Sequence, residues 1–388
     1  MTNQPPWIAV EQPQLVASLL RDANLLGPAE ALQAVERAGE GNMNVTLRAV
    51  LARQSVIVKQ SRPWVAKYPA IAAPLERIYF ESRFYELVAQ ESAIAARMPR
   101  LLAALPRHYA IVLEDLGRDA CDATVLYADR RRARAEIDAL GGQLIDWLAA
   151  LHAWSRTQAI GSEMENRQLR LLNHAHIFVV PFAEPPALDL DSVTPGLADV
   201  AAQIRKTPGL ADTCRQLGEL YRCESAAPVS DAEGPALPFP RSSTTSTAPV
   251  AAAGSANPTE LPSASPVLPS ASPVLLHGDF FPGSWILSPG GDVYVIDPEF
   301  CFVGPAEFDL GVFAAHLRIL QIPAGTIDTL LSRYAAASSS FDESLVRQFA
   351  AVEILRRLLG VAQLPLSASS LGEKQSLLQA ALRDLMSG

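Results

Sequence analysis

Two short stretches hold the densest polar information in the chain: VLLHGDFFPGSWIL at residues 274–287 and DVYVIDPEF at 292–300. An apolar strand delivers His277-Gly278-Asp279 into a loop, and a second strand follows. A third ends at Asp297, with Glu299 two residues on. Carboxylates therefore leave neighbouring strand ends. That suits phosphoryl transfer, in which one carboxylate accepts the proton of an attacking hydroxyl and others hold a magnesium ion bridging the phosphates. Mg²⁺ prefers hard oxygen ligands, and the D-x-E pair Asp297/Glu299 supplies two. Alone, D-x-E at a strand end usually marks a turn. Joined to H-G-D between two apolar strands, it is far harder to obtain by accident.

Such chemistry also needs a cation against the nucleotide phosphates. Lys59 ends the strand Ser55-Val56-Ile57-Val58-Lys59, the pattern of the V-A-I-K strand of protein kinases, and Glu81 on the following helix is its expected ion-pair partner. By itself a lysine at a strand end is a solvated edge residue. Gly39-Glu40-Gly41-Asn42-Met43-Asn44 is a small-residue turn suited to backbone amides approaching phosphate. No G-x-x-x-x-G-K-[ST] occurs, which excludes a Walker-type loop.

The elements that must position these groups are mixed. Pro13 to Leu26, Ala29 to Arg37 and Leu75 to Gln90 read as helices, and Thr46 to Ala52 and Ser55 to Gln60 as strands rich in β-branched residues. Tyr109 to Leu113 is a strand running into Glu114-Asp115. From Arg131 to Trp154 the apolar residues Ile137, Leu140, Leu144, Trp147, Leu148 and Leu151 fall at helical spacing, and His152 at its end reads as a packed or capping histidine. Leu275 to His277, Trp285 to Leu287 and Val293 to Ile296 are short strands. Phe308 to Met386 is mostly helical, with breaks at Pro323 and around Pro365. This predicts an α+β, asymmetric two-lobed plan, with a small strand-rich half before a larger helical half.

The order GEGNMN, VIVKQ, a helix carrying Glu81, LEDL, HGDFFPGS and IDPEF resembles the aminoglycoside phosphotransferase and choline kinase superfamily. The details are similar to its methylthioribose kinases. These are GNMN followed by VIVKQS-x-P; HGDFFPGS, with Ser284 where other members place a metal-binding Asn; IDPEFCFVGPAEFDLG; and Arg356-Arg357 in EILRRLLG. Without the resemblance, those arginines read as a solvent stripe on an amphipathic helix. It covers residues 25–120 and 275–385; residues 155–224 match only loosely, through RLLNHAHIF.

The resemblance implies a protein-kinase-like fold with an antiparallel-sheet N-terminal nucleotide lobe (1–116) and a C-terminal catalytic and substrate lobe (117–388). ATP would lie between them, its adenine on the backbone of Glu114, Asp115 and Leu116. Asn42, Asn44 and Lys59 would face the phosphates, with Glu81 orienting Lys59. Asp297 and Glu299 would hold magnesium, and Asp279 would deprotonate the acceptor. His277 and Asp309 would support the catalytic loop, and Arg356 and Arg357 would meet the acceptor. By the closer resemblance that acceptor is the anomeric hydroxyl of 5-methylthioribose, giving its 1-phosphate in methionine salvage. Rival readings are another sugar, an amino alcohol or an aminoglycoside as acceptor, or a nucleotide-binding pseudokinase scaffold.

Composition sets the outer bounds. Apolar residues make up 49% of the 388, enough for a sizeable core, so a wholly disordered chain is excluded. A net charge of −9 argues against an electrostatic grip on nucleic acid or anionic lipid. No apolar run approaches a membrane span, and the start does not read as a secretion signal. Cys121, Cys214, Cys223 and Cys301 lack C-x-x-C pairing and read as reduced thiols of a cytoplasmic protein. The expected partner is a small-molecule hydroxyl acceptor, and a homodimer stays open. Residues 225–274 carry ten prolines, four charges and a tandem LPSASPV repeat, which reads as a disordered insertion interrupting the second lobe.

Overall fold

The computed structural model of the protein describes residues 6–39, 43–222, 272–366 and 369–387, so all of the Pro/Ser-rich segment except its last three residues lies outside the described residues. Pro13 opens helix α1 (Pro13–Asp22), where its missing amide would have had no partner anyway. The helix stops short of Leu26 because Asn24 takes a left-handed backbone, φ 57°. Residues 29–37 form no helix, contrary to the sequence expectation. Their end is strand β1 (Ala34–Arg37), paired antiparallel with β2 (Val45–Val50) from Ala34↔Val50 to Arg37↔Leu47. Helix preference in this stretch amounts to tenths of a kcal/mol per residue, and the ladder to β2 overrides it.

Strand β3 (Ser55–Gln60) follows, then a small hairpin of β4 (Trp64–Val65) and β5 (Tyr68–Ala72). Helices α2 (Arg77–Val88) and α3 (Ser92–Ala95) lead to β6 (Leu101–Leu105) and β7 (Ala110–Glu114). The result is a five-stranded antiparallel sheet, β1-β2-β3-β7-β6. Strand β6, LLAAL, was not anticipated, since nothing in its composition separates strand from helix. The side-chain period of two decides what β3 does. Val56 and Val58 point into the core shared with Val16 and Leu20 of α1, which leaves Ile57 and Lys59 on the face toward the rest of the molecule.

After a short strand β8 (Cys121–Asp122) the chain is mainly helical. Helix α4 (Arg130–Ser155) is capped by Asp129, whose carboxylate accepts the Arg132 amide, and it buries Ile137, Leu140, Leu144, Leu148 and Leu151. Four helices follow: α5 (Arg167–Phe178), α6 (Leu190–Val193), α7 (Leu197–Arg205) and α8 (Leu210–Arg222). Strands β9 (Val274–Leu276), β10 (Trp285–Leu287), β11 (Val293–Val295) and β12 (Phe302–Gly304) come next. β9 pairs with β12, and β10 joins β11 to β8. β9 starts one residue earlier than expected, which leaves His277 in the loop.

The C-terminal run is α9 (Ala306–Ile319), α10 (Ala324–Ala337), α11 (Glu343–Leu359) and α12 (Leu371–Met386). One break in it was missed: α10 ends at Ala337, and Asp342 caps α11 by accepting the amides of Ser344 and Leu345. The cue, a serine run followed by Asp342, was present in the sequence. Helices α9 and α11 are buried almost throughout. A Cβ on Gly311 would lie 2.5 Å from Phe349 Cβ, so glycine permits their close approach. Each fully buried leucine or phenylalanine contributes about 1.5–3 kcal/mol, and this helix pair is the anchor of the larger lobe. No helix among the described residues is long and apolar enough to cross a membrane. The small antiparallel sheet and the larger helical body are the α+β, kinase-like arrangement expected.

Candidate active site

A cleft of about 850 Å³ lies between the sheet and the helical body. One wall carries Lys59. Its Nζ is 2.6 Å from Glu81 Oε1 on α2 and 2.6 Å from Asp297 Oδ1. Burial works against its charge, but Asp297, Glu81 and Glu299 outweigh that and hold the ammonium well above its ordinary range. Lys59 is thus no solvated edge residue; it is 2% exposed and pinned between two carboxylates.

Asp297 takes a left-handed backbone, φ 61° and ψ 51°, at the start of a single 3₁₀ turn over Pro298–Phe300. For a residue with a Cβ this conformation costs about 1–3 kcal/mol. It turns a half-exposed carboxylate toward the cleft while Glu299 goes into the interior. Glu299 Oε2 accepts from Asn44 Nδ2 at 2.9 Å and lies 3.7 Å from Arg77. Burial pushes its carboxyl up to about 8, with Lys59 and Arg77 pulling the other way and Glu81 and Asp297 adding to the rise.

The side chain of Asn44, expected at the phosphates, is committed inside this network, its Oδ1 accepting from Arg77 Nε at 2.9 Å. Asn42 lies outside the described residues. Arg77 was missed by sequence reading. Fully buried at the start of α2, it also donates to the carbonyls of Met43, Arg62 and Pro74. The available cue was a cation in a helix's first turn, where the dipole disfavours it. Asn166, also missed, donates to the carbonyls of Glu299 and Cys301 and fixes the loop from beneath.

On the opposite wall the loop after β9 is held from α9. Asp309 Oδ2 accepts the His277 amide at 2.7 Å, and Oδ1 accepts the Gly278 amide at 2.9 Å. His152 Nε2 lies 3.3 Å from the same Oδ2, and its Nδ1 lies 2.8 Å from the Tyr334 hydroxyl, so this histidine is packed into the support of the loop. His277 donates from Nε2 to the Ile296 carbonyl, which leaves Nδ1 to accept the Asp279 amide. Gly278 is at φ +83°, and a Cβ there would stand 2.1 Å from the Phe300 carbonyl oxygen. Only glycine lets the two acidic loops lie this close.

Asp279 faces the cleft with its Oδ1 3.1 Å from Arg357 and 3.6 Å from Arg356. Burial raises its pKa, against the pull of both arginines. Arg356 and Arg357 are 6% and 5% exposed, so the solvent-stripe reading is corrected: α11 is enclosed by α9 and α12, and its arginines point into the site. Ser284 donates its hydroxyl to the Asp279 carbonyl at 2.8 Å, a use that stiffens the loop. His176 on α5 also lines the cleft, held to about 4 by burial and by Arg356, and was not singled out from the sequence.

At the far end of the cleft, Glu114, Asp115 and Leu116 form its edge. Asp115 is tied to Arg48 by two hydrogen bonds, 2.6 and 2.9 Å, and to Ser55, while Glu114 points outward to Arg100. The described residues contain no group of three or more His, Cys, Asp or Glu side chains able by themselves to hold a metal ion.

Parts of the chain are similar to known proteins. The chain is 51% identical over 49 residues to a methylthioribose kinase of Exiguobacterium sibiricum, covering 13% of the chain and 12% of that protein. It is 34% identical over 119 residues to one of Geobacillus thermodenitrificans, covering 23% and 30%. The chain thus spans less than a third of the length of either of these curated relatives. Among solved structures, a choline kinase from Streptococcus pneumoniae aligns over 97% of the chain and 100% of its own, with a TM-score of 0.49 and 13% identity. The phosphotransferase enzyme family matches residues 48–349, most of the chain, from within β2 into α11 and stopping short of Arg356 and Arg357; the protein belongs to that family.

Proposed function

We propose that the protein is an ATP-dependent kinase that phosphorylates the anomeric hydroxyl of 5-methylthioribose. The single observation that carries the kinase reading is the placement of Lys59–Asp297 and Asp279–Arg357 in one cleft. The acceptor's identity draws support from the relatives named methylthioribose kinase and from the paired arginines.

In this reading residues 1–116 bind the nucleotide and 117–388 bind the acceptor. The adenine lies along the backbone of Glu114, Asp115 and Leu116. Lys59, oriented by Glu81, neutralises phosphate oxygens. Asp279 takes the proton of the acceptor hydroxyl as its oxygen bonds to the γ-phosphorus and the bond to the ADP oxygen breaks. Arg356 and Arg357 meet acceptor oxygens, and His277 and Asp309 keep the loop from drifting. Positioning and charge neutralisation supply most of the rate.

The donor set fits magnesium. Asp297 offers a half-exposed carboxylate, and burial and two nearby carboxylates push the Glu299 carboxyl up to about 8, a crowding that a divalent cation relieves. When bound, the ion would neutralise developing phosphate charge.

Two buried arginines beside the base disfavour a cationic acceptor, which sets amino alcohols and aminoglycosides behind a neutral sugar. Retention of a buried base argues against a scaffold that only binds nucleotide. The test is a coupled ADP-release assay with methylthioribose, ribose, choline and an aminoglycoside. Turnover with methylthioribose well above the others is expected. Preference for choline or the aminoglycoside would replace the proposed acceptor, and no stimulation by any of them would favour the scaffold.

A further inference from the structure

We propose that Glu353 is a positioning residue for the transfer step: a buried counter-charge on α11 that holds Arg356 and Arg357 in place around Asp279 and balances them. The proposal rests on the reading of Asp279 as the base.

Glu353 is 1% exposed and one turn before the arginines. Its Oε1 accepts from Arg357 Nε at 2.6 Å, and its Oε2 lies 3.5 Å from Arg356 Nη1. Arg357 is hydrogen-bonded from behind by Glu353, and Arg356, whose Nη1 also donates to Asn173 Oδ1 at 3.2 Å, is ion-paired to it, while Nη2 of each arginine faces Asp279. The grip is itself fixed. His316 on α9 lies 3.0 Å from Glu353 Oε1 through Nε2, and its Nδ1 contacts the Tyr127 hydroxyl. A carboxylate can only accept, so Nε2 carries the proton, Nδ1 accepts, and Tyr127 donates. Burial holds His316 to about 4, so it is a neutral strut that adds no charge. Phe281, two residues after the base, packs between this strut and the Arg357 guanidinium, 5.0 and 4.3 Å away. A continuous path thus runs Tyr127–His316–Glu353–Arg357–Asp279.

The charges close as well. Two cations face two carboxylates; His176 from α5, held to about 4 and so neutral, lies beside Arg356, and the other titratable groups turned toward Asp279 among the described residues are His277 from its own loop, Tyr127, and Tyr221 from α8. Burial lowers the His277 pKa and raises those of both tyrosines, so all three stay neutral near pH 7. Without Glu353, two buried guanidiniums would share Asp279 alone. They would stabilise its carboxylate and make it a weaker base. The arginines bind the acceptor, and Glu353 keeps that binding from disarming the group between them.

The experiment compares wild type, Glu353→Gln, Arg356→Gln and the double variant by the pH dependence of turnover and by KM for methylthioribose and ATP. Glu353→Gln is expected to move the acidic limb about 1 pH unit lower, as loss of a nearby like charge does. It should also raise the acceptor KM roughly tenfold with ATP KM unchanged. The double variant, which removes one charge of each sign, should bring the limb back toward wild type. Should Glu353→Gln fail to fold, Arg356→Gln against the double variant gives the same reading, with the lower limb in the double. An unmoved limb, or KM values for both substrates rising together, would overturn the proposal. If methylthioribose does not stimulate ADP release, the acceptor assignment fails separately, and the same limb is read on slow hydrolysis of ATP by water.

Discussion

Lys59 and Asp297, 238 positions apart in the chain, form an ion pair of 2.6 Å across the cleft. The same ammonium reaches Glu81, which is wholly buried. One cation therefore joins the small sheet, helix α2 and the loop after β11.

Lys59→Met should destabilise the protein by about 3–5 kcal/mol, because it leaves a buried carboxylate without its cation. Replacing Glu81 with Leu in the same chain should recover part of the loss. Denaturant unfolding measures both, and an unchanged midpoint for Lys59→Met would mean that Glu81 is not dependent on it.

Asp279→Asn keeps the size of the side chain and removes the base. Turnover should fall by about 10²–10⁴ with ATP affinity nearly unchanged. Normal turnover would remove Asp279 from the proton transfer.

Glu299 sets a pH dependence with a definite sign. Its carboxyl rises from 4.5 in the unfolded chain to about 8 in the folded protein, chiefly through burial. Between those values the folded state holds a proton that the unfolded state has released. The resulting stability is complete below about pH 4.5 and is lost as pH rises toward 8. In metal-free protein, the Tm of wild type minus that of Glu299→Gln should therefore fall across this window. A difference that grows with pH would mean that Glu299 is ionised in the apo protein.

Arg356→Ala should raise the acceptor KM by about 10- to 100-fold, the loss of one charged hydrogen bond, and leave the ATP KM close to wild type. Equal effects on both would place Arg356 away from the acceptor. Arg357 is less suited to this test, since its removal also strips Glu353 of its hydrogen-bonded cation.

Gly278→Ala should yield little folded protein or lose turnover entirely, because its backbone is left-handed and the new methyl meets the Phe300 carbonyl. Gly325→Ala, with open space around it, is the control and should behave as wild type.

Motif residues were legible in the sequence because their chemistry depends on residue type and short spacing. H-G-D and D-x-E each fit in one loop, and a lysine on a β-branched strand is oriented by the period of two. Of the residues that support them, His277 and Asp309 were reached through the motif resemblance and the others were not legible. Arg77, Asn166, His316 and Glu353 lie on separate elements, and apart from the first-turn cation at Arg77 nothing in their sequence contexts marks them. The error at residues 29–37 has the same origin: a locally helical composition became β1 only because β2 lay beside it.

The order of residues alone determined which groups can accept a proton, carry positive charge or bind a hard cation, and which strands deliver them. Packing decided how those charges behave. Burial turned Arg356 and Arg357 from a plausible solvent face into half of a balanced cluster, and pushed Glu299 up to about 8. The physical reason is that a charge's behaviour depends on its distance from other charges and from water, and neither distance is set by position along a chain.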